Sequence, residues 1–245
     1  MFWGKLLLVL MSFFAITTPI YAQEDIKFLD EKTVEPRLWI TKHSGSAPQV
    51  ALTLDLCMGK TDMRILDMLI EHKIKATFFM TARWLVKNPE AIEKIKQHLD
   101  LFEIGNHGAQ HLPAIDNMAT IYGIKTAGSL PRIFEEVKGG QQAIIAAGFK
   151  PPYWYRTAAA RYSHDALSAL EKAGYHIAGF SLNGDEGASL SEKDARKRIE
   201  SAKDGDVIIA HMNHPERPAG AGVVEGVLAL QARGYKFVKL SEGAF

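Results

Sequence analysis

Val50-Ala51-Leu52-Thr53-Leu54-Asp55 is an almost unbroken apolar run that finishes on a carboxylate. A strand with one wet face alternates apolar and polar residues, whereas a strand covered on both faces, as in a parallel sheet, need not. Six more runs share this character: Ala76 to Met80, Leu101 to Ile104, Tyr153 to Tyr155, Ile177 to Leu182, Val207 to His211 and Phe237 to Leu240. The stretches between them read as helices. Ile65, Leu66, Leu69 and Ile70 recur at three- and four-residue spacing, as do Ala166, Leu167, Leu170 and Ala173, and Val223, Val224, Val227 and Leu228. Gly148, Gly174 and Gly234 each stand between a helical pattern and the next strand, where a residue free to take positive φ stops a helix. The repeated order of strand, helix, glycine, strand means βα units, and right-handed crossovers build these into a doubly wound sheet or a barrel.

The chain of 245 residues is 47% hydrophobic and 23% charged, which suits one folded domain and not a disordered or fibrous chain. A net charge of +1 argues against nucleic acid as a partner, and the densest basic stretch, Lys193 to Lys203, is broken by Asp194 and Glu200. No glycine-rich phosphate loop follows any strand, so nucleotide binding has no support. At the N-terminus, Lys5, the apolar Leu6 to Ile16 and the break from Pro19 to Ala22 read as a secretory signal over residues 1–22. That apolar stretch falls short of the ~20 residues of a membrane span, so no stable membrane insertion is expected after cleavage. Residues 23–48 read as a polar leader and 49–245 as the folded domain. The single cysteine, Cys57, cannot form an internal disulfide and reads either as a small buried hydrophobe, the common state of a free thiol and the favoured reading, or as a residue with chemistry at a strand end. The segment from Leu112 to Gly128 is too long for an idle connection and reads as a wall of a substrate cleft.

Four places carry residues suited to chemistry. His107 and His111 follow the run Leu101 to Ile104, and two imidazoles four residues apart can meet one divalent cation; a pair of surface histidines is the alternative. Asp55 ends an apolar strand, where a carboxylate is costly unless paired, metal-bound or catalytic. Asp62 lies seven residues further on, equally suited to capping a helix or reaching a metal. His211 closes Val207 to His211 and is either a proton donor or a structural histidine. Arg156, after Trp154-Tyr155, either grips a carboxylate or sits on the surface.

Taken together, Leu52-Thr53-Leu54-Asp55, the HGAQH of His107 to His111, Tyr155-Arg156, Phe180-Ser181-Leu182-Asn183 and Val207 to His211 resemble, in order, the five motifs of the polysaccharide deacetylases, carbohydrate esterases with a NodB homology domain. Lys75-Ala76-Thr77-Phe78-Phe79 matches that family's second strand. The resemblance runs from about Val50 to Leu240 and implies an α/β fold of the distorted (β/α)7 barrel type. It also implies one divalent metal, usually Zn²⁺, and hydrolysis of acetamides on an N-acetylated glycan such as peptidoglycan or an exopolysaccharide. By the same resemblance Asp55 is the general base, His107 and His111 bind the metal, Arg156 orients Asp55 and His211 is the general acid. The expected location is periplasmic or secreted.

Three departures mark a divergent subgroup. Leu56 stands where the family has a metal-binding aspartate, and Asp62, at the end of a glycine-containing loop, is the expected substitute. Asn183 replaces an aspartate that tunes the acid histidine, and Asp185 is expected in its place. Thr157-Ala158-Ala159 replaces prolines of the third motif. A glycan-binding relative without activity and an amidohydrolase for another N-acyl substrate are the competing readings. Tyr122, Tyr153, Trp154 and Tyr162 are equally suited to stacking on sugar rings and to packing.

Overall fold

The computed structural model describes residues 32–41 and 47–243. The expected signal over 1–22 and most of the expected leader lie outside the described residues.

The apolar runs become strands of one parallel sheet: β2 (Gln49–Leu56), β3 (Ala76–Met80), β4 (Phe102–Asn106), β7 (Trp154–Tyr155), β9 (His176–Ile177), β10 (Leu182–Asn183), β11 (Val207–His211) and β12 (Lys236–Val238). Short pieces lie outside it: β1 (Thr33–Val34) pairs antiparallel with β8 (Tyr162–Ser163), and β5 (Thr120–Ile121) forms a hairpin with β6 (Ile124–Lys125). The helices are α1 (Met63–Glu71), α2 (Ala82–Lys87), α3 (Pro89–Lys96), α4 (Leu130–Ala146), α5 (His164–Lys172), α6 (Glu192–Glu200) and α7 (Ala219–Ala232).

The strand order is β10-β11-β2-β3-β4-β7-β9, with β12 pairing the first residues of β2. β9 and β10 are consecutive in the chain yet stand at opposite ends of that order, joined by residues 178–181. The sheet therefore curls back on itself, giving the distorted (β/α)7 barrel.

Two layers of packing explain why the strands are apolar on both faces. Val50, Leu52, Leu54 and Leu56 of β2 join Ile65, Leu66 and Leu69 of α1, with Val223 and Val227 of α7, in the layer between sheet and helices. Full burial of each such side chain contributes roughly 1.5–3 kcal/mol. The alternate residues face the barrel interior, where Ala51, Phe79, Val207 and Ile209 pack with Leu240.

The expected strand from Ile177 to Leu182 is two short strands with a crossing between them. In its middle the carbonyls of Ala178 and Gly179 accept from Arg156 and do not join a strand ladder. Phe180 instead exchanges backbone hydrogen bonds with the chain at Pro36 and Leu38. Part of the expected leader is thus built into the domain: β1 pairs with β8, and Ile40 is buried and donates to the Gly205 carbonyl. Among the described residues, Thr33, Val34 and Ile40 of the segment read as leader pack on the domain.

That seam depends on a missing side chain, since a Cβ at Gly179 would lie 2.2 Å from the Pro36 carbonyl oxygen. Gly179→Ala is expected to detach the segment around Pro36 and cost about 1–3 kcal/mol. Thermal unfolding should show a lowered Tm, and limited proteolysis should cut near residue 36 faster than in the wild type.

Candidate active site

Register places the chemistry at one rim. Asp55 lies opposite His211 on one neighbouring strand and opposite Phe79 on the other. His107 follows β4 directly and Arg156 follows β7, with the Arg156 N–H donating to the Asn106 carbonyl. All four sit at the carboxyl ends of parallel strands, the face on which α/β barrels collect their sites.

Arg156 is wholly buried and spends its donors on four acceptors. One terminal nitrogen donates to the Asp55 Oδ1 and to the Thr53 Oγ1, both at 2.9 Å; the other donates to the Gly179 carbonyl at 2.8 Å, and Nε to Ala178 at 3.2 Å. Its guanidinium lies 4.3 Å from the centre of the Phe79 ring. That ring fits because the neighbouring strand carries Gly105, whose Cβ would come within 2.6 Å of it. A buried charge is tolerated only when paired and hydrogen-bonded, and this one fixes the Asp55 carboxylate through one oxygen.

The second Asp55 oxygen lies 3.6 Å from Nε2 of His107. His107 Nδ1–H donates to the Arg156 carbonyl at 2.7 Å, leaving Nε2 as the nitrogen with a free lone pair. That is the arrangement in which a histidine binds a metal while its other nitrogen is oriented by an acceptor. Burial lowers the pKa of His107, but the charges of Asp55 and Cys57 outweigh it and raise the pKa above the ordinary value. The field that favours a proton at this imidazole favours any cation there.

His111 lies 7% exposed, its ring 5.0 Å from that of His107, and neither of its nitrogens has a hydrogen-bond partner. Cys57 completes the group: its Sγ is 3.5 Å from His107 Nε2. One donor atom from each of Cys57, His107 and His111 lies within 4.8 Å of the others. Burial alone would push the Cys57 thiol up, yet His111 and His107 bring its pKa well below the ordinary value. A Cys/His/His set with two unpartnered imidazole nitrogens fits a divalent metal, three protein donors being the usual number at a catalytic zinc with an open position.

Asp62 does not join this group, which corrects the expectation that it would bind the metal. It is the N-cap of α1 and accepts from the Arg64 N–H at 3.1 Å. Its two oxygens take the Arg64 guanidinium at 2.8 and 2.6 Å, and Gly220 of α7 packs against the carboxylate. Both oxygens are committed to the helix start, so none turns toward the rim.

His211 and Asp185 do meet. The Asp185 carboxylate, fully buried, accepts from His211 Nδ1–H at 2.9 Å and from the His211 backbone N–H at 2.6 Å. Burial opposes the charged imidazole, but the Asp185 charge and its hydrogen bond raise the His211 pKa well above the ordinary value.

Glu136 has a place in this site that the sequence reading did not assign. This buried residue of α4 accepts from the backbone N–H of Gln110 at 2.8 and 2.9 Å and from that of Leu112 at 3.1 Å. It thus clamps the loop on both sides of His111, whose φ of +65° a histidine holds only when its surroundings enforce it.

These side chains open into a cleft of about 700 Å³. The segment from Leu112 to Gly128 contributes the β5–β6 hairpin, whose Tyr122 and Ile124 line it. Of the four aromatic candidates, Tyr122 is exposed at this cleft, whereas Tyr162 is buried and accepts from the Thr157 N–H. Trp154 is packed in the interior, and Tyr153 stacks on His176 away from the cleft.

Comparison with known proteins gives a consistent picture. The family model described as polysaccharide deacetylase matches residues 42–178. A peptidoglycan-N-acetylglucosamine deacetylase of Bacillus cereus is 24% identical over 217 residues, spanning 86% of this chain and 95% of that protein. Among solved structures, peptidoglycan deacetylase PdaC from Bacillus subtilis superposes with a TM-score of 0.64 at 22% identity, covering 80% of this chain and 90% of the other. A CE4 family pseudoenzyme from Bacillus anthracis gives a TM-score of 0.63 at 19% identity, over 85% of this chain and 69% of the other. At such identities the structural likeness is one of fold.

Removing the guanidinium would leave Asp55 and two carbonyls buried without their donor. Arg156→Met is expected to lower stability by about 3–5 kcal/mol, read as an earlier urea midpoint with an unchanged m-value.

Proposed function

The chain belongs to the polysaccharide deacetylase family, and on that premise we propose that it hydrolyses N-acetyl groups from an N-acetylated glycan, peptidoglycan or an exopolysaccharide, with a divalent ion held at the rim that carries His107 and His111. One observation carries this reading. Asp55 has one oxygen bound by Arg156 and the other 3.6 Å from the His107 imidazole, so a proton acceptor stands beside the metal-binding cluster.

When bound, the ion polarises the acetyl carbonyl and makes a nearby water more acidic. Asp55, aimed by Arg156, takes the proton of the attacking water, whose oxygen bonds to the acetyl carbon. His211 gives its proton to the amide nitrogen as the C–N bond breaks, releasing acetate and the free amine. Asp185 holds the His211 ring in place and favours its charged form, so the donor keeps its proton at neutral pH. Tyr122, exposed beside the cleft, offers a flat face for a sugar ring. Lys5, the apolar stretch Leu6 to Ile16 and Ala22 support export to the periplasm or the outside of the cell. Among the described residues no helix is long and apolar enough to cross a membrane.

Acetate release from N-acetylglucosamine oligomers tests this reading. Activity should vanish on chelation, and Asp55→Asn should lower kcat by about 10²–10⁴-fold; unchanged turnover in Asp55→Asn would contradict the role of the base. A protein that binds the oligomers and releases no acetate would be a glycan-binding relative. Release from other N-acyl substrates alone would make it a different amidohydrolase.

A pH profile tests the acid. His211 must carry its proton to act, so activity falls as pH rises through its pKa. That pKa is raised by Asp185, so Asp185→Asn should move the alkaline limb of kcat to lower pH.

A further inference from the structure

We propose that Cys57 binds the ion through its sulfur, making a Cys-His-His centre that takes a thiophilic divalent cation of the zinc kind in preference to magnesium or manganese. This inference rests on the deacetylase reading for what the ion does, and on the geometry of the rim for what holds it.

Strand periodicity decides which residue after Asp55 can serve. Successive side chains of a strand point to opposite faces. Leu56 packs with Leu52 and Leu54 in the layer under the helices, so this apolar side chain offers the rim no donor. Cys57, two residues beyond Asp55, returns to the inner face, where its Sγ is 3.5 Å from His107 Nε2. Sulfur and nitrogen donors on one tetrahedral zinc, at ordinary bond lengths, stand roughly 3.5 Å apart. The spacing already suits a shared ion.

Three further observations agree. His111 is buried with both nitrogens unpartnered, at a cost of roughly 1–3 kcal/mol for each such group, and coordination would give one of them a partner. Asp62, the other acid near the start of α1, is committed to Arg64. Asp55 has one oxygen on Arg156, and among the described residues the group that meets the spacing of a metal site is Cys57, His107 and His111. Thiolate ligands favour zinc-like ions, while magnesium and manganese favour oxygen donors. With sulfur as the third donor, Asp55 stays free to take protons.

Cobalt substitution of the full-length protein reads the ligand directly, independently of activity. The cobalt form of the wild type should show intense near-ultraviolet sulfur-to-cobalt charge transfer, and Cys57→Ser should lack it. Zinc affinity in Cys57→Ser should fall by about 100-fold or more, because loss of an outer-shell partner alone costs 10–100-fold. Cys57→Asp restores an oxygen donor should Cys57→Ser fail to fold, and should shift the preference toward manganese. A wild-type cobalt spectrum without charge transfer, or zinc held equally tightly by Cys57→Ser, would overturn the proposal. Acetate release from the same samples separates the two claims. Release without charge transfer removes the sulfur ligand and leaves the deacetylase reading standing. Charge transfer without release does the reverse.

Discussion

One buried guanidinium organises this molecule. Arg156 has no contact with water, so each of its hydrogen bonds must be made within the protein, and the partners it takes come from distant parts of the chain. Thr53 and Asp55 lie on β2, and Ala178 and Gly179 on the crossing that returns the chain to the start of the sheet. The backbone carbonyl of the same residue orients His107. A single residue thereby ties the Asp55 carboxylate, the His107 imidazole and the return crossing of the chain to one another. Displacing it would disturb fold and site together.

The second constraint is the period of a strand. β2 serves two environments at once: its even-numbered residues build the layer against α1 and α7, and its odd-numbered residues build the barrel interior and end in the site. Ala51 packs, Thr53 and Asp55 accept from Arg156, and Cys57 reaches His107. The same rule binds β11, where Val207 and Ile209 pack inside and His211 follows at the rim. Beyond the strands, the site is held by groups whose own bonds are satisfied elsewhere: Glu136 clamps the loop of His111, and Asp185 anchors both the ring and the backbone of His211.

Much of this was legible in the residues themselves. Runs such as Val50 to Leu56 and Val207 to His211 announce buried parallel strands because covered faces demand apolar residues on both sides, and the carboxyl ends of such strands mark the site. Ile177 to Leu182 misled because apolar character cannot reveal that Arg156 takes the carbonyls a ladder would need. Asp62 misled because a capping aspartate and a metal-binding one look alike until Arg64, two residues on, is seen to fold back on it. Cys57 was read as a filler, although a signal was available: counting by two from Asp55 places it, and not Leu56, on the inner face. Glu136 left no such trace, since its partners are backbone N–H groups that no side-chain pattern encodes. The docking of residues 36–40 on the domain has no mark in composition, because the backbone hydrogen bonds to Phe180 and Gly205 ask nothing of the side chains.

The central claim is that a cation and a proton acceptor share one mouth of the barrel. Anomalous diffraction at the zinc absorption edge, on crystals of the full protein, tests it most directly. The expected result is a single strong peak among the Cys57 sulfur and the His107 and His111 imidazoles, about 2.0–2.3 Å from each donor, with the free oxygen of Asp55 within one water of it. A peak at another place, or none in a protein that still releases acetate, would contradict the claim.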